Sequence, residues 1–162
     1  MKVFLITLIL GLFTAGTANA QKILLKIASI TPAAGEEVKA ADFKVDLSIS
    51  LAAGGSGIGK SYVRDFLIKK LNGPSTNELY KKALGGLAIP AVIIEYYDAS
   101  NVLYFTITLK TVYVTNFYWL SPECPTCLKL EHQVAFTAKQ YETFDVSTGV
   151  TIKFDVSTNS FY

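Results

Sequence analysis

Residues 54–61 read Gly-Gly-Ser-Gly-Ile-Gly-Lys-Ser and fit the spacing G-x-x-x-x-G-K-S. In a phosphate-binding loop of that spacing, glycines let backbone N–H groups wrap a phosphate. The lysine neutralises it, and a following helix N-terminus adds positive potential. Residues 62–70 are divided on this point. Val63, Phe66 and Leu67 have helical spacing, whereas Tyr62, Phe66 and Ile68 alternate as in a strand. The chain has no series of βαβ units, and it carries an export signal that would take it away from ATP. Both favour a flexible Gly/Ser-rich connection between two strands over a nucleotide site.

The second candidate is Cys124-Pro125-Thr126-Cys127, with Pro122 just before it. A redox pair of this spacing wants its first thiol at a helix N-terminus, where the dipole lowers the thiol pKa. No helix pattern follows Cys127. Zinc would need about four ligands, and the chain has two Cys and one His. That residue, His132, falls on the apolar side of a strand pattern, where a buried and satisfied imidazole is the plain expectation. Two cysteines in an exported chain most simply form one disulfide, Cys124–Cys127, at a hairpin tip. No Ser/His/Asp set or pair of catalytic carboxylates is recognisable, and no cofactor is implied.

The elements that must position these residues are mostly strands. Over residues 42–51, Phe43, Val45, Leu47, Ile49 and Leu51 alternate with Asp42, Lys44, Asp46, Ser48 and Ser50, predicting a half-buried strand. Residues 22–30 predict a shorter one. Residues 91–97 are apolar on both faces and predict a central strand, followed by a turn at 98–101. Leu103, Phe105, Ile107 and Leu109 continue as Val112 and Val114. That change of phase predicts a β-bulge near Lys110 and Thr111. Leu128, Leu130, Val134 and Phe136 form another stripe. Near the C-terminus Phe144-Asp145-Val146-Ser147-Thr148-Gly149 is echoed by Phe154-Asp155-Val156-Ser157-Thr158-Asn159, predicting a hairpin. One helix interrupts the strands. Ser75 and Glu78 have capping-box spacing, Leu79, Tyr80, Ala83 and Leu84 share a face, and Gly85-Gly86 ends it.

The N-terminus is an address rather than part of this fold. Lys2 is followed by an apolar run over residues 3–13 and then by Ala18-Asn19-Ala20. A basic start, an apolar middle and an A-x-A end predict a secretory signal peptide, residues 1–20, cleaved after Ala20. The run is shorter than the roughly 20 residues that span a bilayer. Residues 21–162 are then one domain of ordinary size, expected to be secreted or periplasmic. Lys+Arg number 15 and Asp+Glu 13 in the whole chain. So even a balance gives no global reason to bind nucleic acid or anionic membrane.

The order of these segments resembles the Hcp family, the tube protein of type VI secretion systems. The resemblance is carried by residues 65–70, the helix over 74–84 with its exit over 85–90, and residues 91–95. It continues in the run Tyr104-Phe105-Thr106-Ile107-Thr108-Leu109-Lys110-Thr111-Val112-Tyr113-Val114-Thr115, and closes with 128–136 and 150–156. Residues 23–51 fit in order. The resemblance implies a mainly β protein, a small β-barrel flanked by one short α-helix. It further implies a homo-hexameric ring with a wide lumen, rings that stack into a tube, and shelter for secreted effector cargo. It brings no catalytic residues. On this reading the loop Gly54, Gly55, Ser56, Gly57, Ile58, Gly59, Lys60 is a candidate contact to a neighbouring subunit or ring. The signal peptide departs from the family, whose members assemble in the cytoplasm. Two rivals stand beside the ring: a monomeric exported binding module on the same barrel, and a thiol–disulfide protein using Cys124 and Cys127.

Overall fold

The computed structural model describes residues 21–47, 50–52, 55–57, 61–120 and 130–162. Its strands are β1 (Lys22–Lys26), β2 (Glu36–Val38), β3 (Ala40–Asp42), β4 (Val45–Leu47), β5 (Ser50–Ala52), β6 (Gly55–Gly57), β7 (Ser61–Val63) and β8 (Phe66–Leu71). Helix α1 (Thr76–Gly85) follows. Then come β9 (Ile89–Tyr97), β10 (Leu103–Leu120), β11 (Glu131–Asp145), β12 (Val150–Asp155) and β13 (Ser160–Phe161).

The main sheet runs β13-β12-β11-β10-β9-β1-β2, all antiparallel. The long strand β11 gives one edge wholly to β10. Its other edge is shared: residues 131–136 pair with β8 and residues 140–145 with β12. β8 in turn carries β3. Residues 36–42 therefore touch both ends of the ladder, β2 lying on β1 and β3 on β8. Between them the Lys39 N–H donates to the Lys69 carbonyl at 2.8 Å. The sheet curls toward the expected barrel but stays open: among the described residues no continuous strand pair closes it, and residues 36–42 bridge its two ends. Leu25, Ile27, Phe66, Ile68, Val92, Ile94, Leu109, Val112, Val134 and Phe136 fill the inside.

Strand β9 is central, as its two-sided apolar run predicts, between β1 and β10. The turn after it is set by Asp98, whose Oδ1 accepts the Ser100 and Val102 N–H groups at 2.8 Å. The change of phase in β10 is real, but it is not a bulge at Lys110–Thr111. Lys110 still faces Gln140 and Val112 still faces Ala138. Buried positions move from Ile107 and Leu109 to Val112 and Val114, while on β11 they move from Val134, Phe136 and Ala138 to Tyr141. The two slips face each other and cancel, so both strands turn over together and register survives. Thr111 absorbs the change with a φ of 49°, an unfavourable region for a β-branched residue. The register shift itself comes further on, between Val114 and Asn116.

Two other expectations need correction. The alternating run 42–51 is not one core strand. The chain leaves the barrel after β3 and forms a two-stranded arm, β4 on β7 and β5 on β6. Phe43 stays at the core, stacked on Tyr141 with ring centroids 5.3 Å apart, but Val45 is 53% exposed. A two-stranded arm satisfies the same alternation without a layer beneath it. The capping box also fails: Ser75 makes no side-chain cap, and Glu78 instead pairs with Lys81 at 2.7 Å. Helix α1 does end as expected, with Gly86 left-handed at φ 59°.

Candidate functional site

Of the segment that fits a phosphate-loop spacing, residues 55–57 and Ser61 are described, and both lie in the arm. Gly55, Ser56 and Gly57 are β6, and Ser61, Tyr62 and Val63 are β7, paired with Leu47, Asp46 and Val45. Residues 61–63 are a strand, not the first turn of a helix. The strand reading of residues 62–68 prevails, and residues 55–57 are themselves paired strand. Gly54, Ile58, Gly59 and Lys60 lie outside the described residues, as do Cys124, Cys127 and the signal segment 1–20. Among the described residues no group of three or more His, Cys, Asp or Glu is placed to hold a metal ion, and no helix is long and apolar enough to cross a membrane.

Two features that sequence reasoning passed over stand out. The first is a surface. The C-terminal hairpin β12–β13 leaves apolar side chains uncovered: Val150 is 53%, Ile152 51% and Phe161 75% exposed. Between this hairpin and the base of the arm lies a groove of about 270 Å3, lined by Phe43, Val45, Val63, Tyr141, Ile152 and Phe161 among others. β13 is the outer strand of the sheet at this end. The alternation of Val150, Ile152 and Phe154 was legible, but alternation does not say whether a covering layer exists.

The second is a buried polar cluster at the foot of α1. Lys70 on β8 is fully buried and forms an ion pair with Glu36 on β2 at 2.6 Å. Its ammonium also donates to Ser75 Oγ at 3.0 Å and Thr76 Oγ1 at 3.4 Å. The other Glu36 oxygen accepts the Ser75 N–H at 3.3 Å, and Thr76 Oγ1 accepts the Gly73 N–H at 2.9 Å. A carboxylate from a distant strand thus accepts the N-cap N–H that the Glu78 side chain would take in a capping box, favoured by the positive end of the helix. Burial lowers the Lys70 pKa, and Glu36 opposes that shift. Beside the pair sits His132, also fully buried and directly opposite Lys70 in the β8–β11 ladder. It stacks on Phe117, centroids 4.9 Å apart, and lies 5.6 Å from Trp119. Neither of its ring nitrogens has a partner. The imidazole is buried as expected but is not satisfied.

The fold is that of solved type VI secretion proteins. Hcp1 from Salmonella typhimurium superposes with a TM-score of 0.72 at 19% identity, covering 88% of this chain and 99% of that one. A type six secretion system protein gives 0.75 at 13% identity, covering 88% and 100%. Hcp1 from Flavobacterium johnsoniae gives 0.58 at 14% identity, covering 83% and 98%. The sequence itself matches the family described as "Type VI secretion system effector, Hcp" over residues 34–148, and the chain belongs to that family. No curated protein sequence matches it.

Proposed function

We propose that residues 21–162 form hexameric rings outside the cytoplasm, acting as a structural tube or ring component rather than an enzyme. The observation that carries this reading is the uncovered apolar hairpin beside an open sheet edge, in a chain of the Hcp family. Val150, Ile152 and Phe161 are costly to leave in water, roughly 25 cal/mol for each Å2 of apolar surface. An outer strand invites pairing with another chain. Closed cyclic symmetry covers both at every subunit and stops growth in the plane. The lumen of such a ring would shelter effector cargo, the Gly-rich arm would reach a neighbouring subunit or ring, and rings would stack. The signal peptide delivers the chain across the membrane and is removed after Ala20, and Cys124 and Cys127 then join as a disulfide.

Light scattering after size exclusion should give about six times the protomer mass, and negative-stain grids should show annuli. A monomer that persists at near-millimolar concentration, with no annuli, overturns the ring. It would favour the monomeric binding module, for which the apolar groove is the natural site. Intact mass of the exported protein tests cleavage: it should begin at Gln21. Alkylation without reductant should label neither Cys124 nor Cys127, whereas disulfide-reductase turnover would favour the thiol rival.

A further inference from the structure

The cluster at the foot of α1 has an unusual charge count. It holds one cation, Lys70, one anion, Glu36, and one neutral base, His132; Lys70 and His132 are fully buried and Glu36 nearly so. Lys70 already directs its ammonium at Glu36, Ser75 and Thr76. Glu36 already accepts from Lys70 and from the Ser75 N–H. Nothing is left over for His132, whose nitrogens are both unpartnered.

Among the described residues the surroundings offer it no second anion. β8 presents Lys70 and β2 presents Glu36. β10 presents Phe117 and Trp119, uncharged rings. On β11 itself the neighbouring Glu131 is committed to Lys39 and to Lys69, the latter at 3.2 Å. Helix α1 offers Ser75 and Thr76 at its start, already engaged, and Tyr80, which leans on Phe117 and Trp119. Glu78 is spent on Lys81. Protonated His132 would therefore be a second buried cation beside Lys70, sharing a single carboxylate with it. A buried charge without its own partner is among the most costly things a fold can hold.

We propose that His132 is the trigger of an acid-operated latch, by which protonation releases the start of helix α1 from the Lys70–Glu36 pair and lifts it off the sheet. The weak side of the cluster is the helix. β8 and β11 are held by ladder hydrogen bonds along residues 66–71 and 131–136. Helix α1 is held at its start by the Glu36 carboxylate, by the Lys70 ammonium and by buried Leu79. Letting the helix foot lift lets water reach the imidazolium, and it uncovers the aromatic face of Tyr80, Phe117 and Trp119. The proposal is independent of ring formation.

Burial and the nearby Lys70 charge push the His132 pKa down from 6.5 to about 4, with Glu36 opposing. A depressed base is stabilising in its neutral form above its ordinary value. That contribution falls away as the pH drops below 6.5 and is gone once it passes about 4.

The chain has one His and one Trp, so both reporters are unambiguous. The imidazole ring protons of the mature protein should titrate well below 6.5 by NMR. Hydrogen exchange of the amides of residues 76–85 should speed up by roughly tenfold or more between pH 7 and pH 4.5, relative to those of β10 and β11. Trp119 fluorescence should change over the same range. In His132→Phe, whose ring can keep the stack on Phe117, the helix-specific acceleration should vanish. A His132 that titrates near 6.5, or helix amides whose protection ignores pH, would overturn the latch. So would a His132→Phe protein that keeps the same acid response, which would then belong to the carboxylates. Should His132→Phe fail to fold, the wild-type titration and exchange decide alone.

Discussion

A Cβ on Gly73 would run into the Oε1 atom of Glu36. The loop between β8 and α1 passes so close to the Glu36 carboxylate that only glycine fits. A carboxylate end is normally free to swing away, but this one is tied to Lys70 at 2.6 Å. Gly73→Ala must therefore disturb the ion pair. We expect a loss of about 1–3 kcal/mol in urea unfolding, short of the cost of removing a partner outright. An unchanged midpoint would mean that Glu36 has room to move.

The pair itself makes a sharper case. Removing one partner strands the other charge, so Lys70→Met or Glu36→Leu alone should cost about 3–5 kcal/mol. The double variant Lys70→Met with Glu36→Leu removes both charges. It should recover most of that loss, because a buried pair is worth little over an apolar replacement. Strict additivity of the two single effects, read from denaturation midpoints, would show that the residues are not coupled.

Much of this architecture was legible in the sequence, and the failures share a cause. β9, β10, the first part of β11, the turn at 147–149 that joins β11 to β12 and the end of α1 at Gly86 follow from local patterns, because period and turn chemistry are local. The arm reads from the sequence as a half-buried strand over 42–51 and a flexible Gly/Ser-rich connection after it. Alternation specifies a face but not what lies against it, and Val45 meets solvent. The capping box fails because a residue 39 positions away, Glu36, accepts the N–H assigned to Glu78, while the Ser75 hydroxyl oxygen accepts from Lys70. No local pattern announces that. His132 was placed correctly as buried, but its lack of partners depends on Lys70 and Glu36 having already satisfied each other. The change of phase in β10 is visible in the sequence; that β11 changes phase opposite it, so that the two cancel, is a property of the pair.

Where β10 does shift register, its backbone is held by Asp65. The Thr115 hydroxyl donates to Asp65 Oδ2 at 2.7 Å, and the Thr137 hydroxyl donates to Oδ1. One carboxylate thus ties the shifted part of β10 to β11. Asp65→Ala should cost about 1–2 kcal/mol, and Thr115→Ala should add little once Asp65 is gone. A double-mutant cycle on thermal midpoints checks this; full additivity would count against the clasp.

Acid should also act at the C-terminal turn, in a separate pH range. Hydrogen bonds from Ser157, Gln140 and the Thr158 N–H hold the Asp155 carboxyl down at about 2. A depressed carboxylate stabilises above its ordinary value of 3.8, and that help fades as the pH falls through about 2. The Ser157 and Thr158 amide resonances should therefore move toward turn-free positions only below pH 4, and not at all in Asp155→Asn. A carboxyl that titrates near 3.8 would show that the turn is not built around its charge.

The uncovered hairpin separates folding from assembly. Ile152 pairs across the ladder with Thr143, yet half of it remains in water and it lines the apolar groove. Within one subunit Ile152→Lys changes little, since exposed substitutions usually fall within about 0.5 kcal/mol. Against a neighbouring subunit the same change places an ammonium in an apolar contact, where an unpaired charge is heavily penalised. The variant should unfold at nearly the wild-type temperature when dilute, yet scatter light as a monomer at concentrations where the wild type forms rings. Val150→Lys should behave alike, whereas Lys81→Glu, on the exposed side of α1, should leave assembly intact. Rings that survive both hairpin substitutions would move the subunit contact elsewhere and return the groove to the binding-module reading.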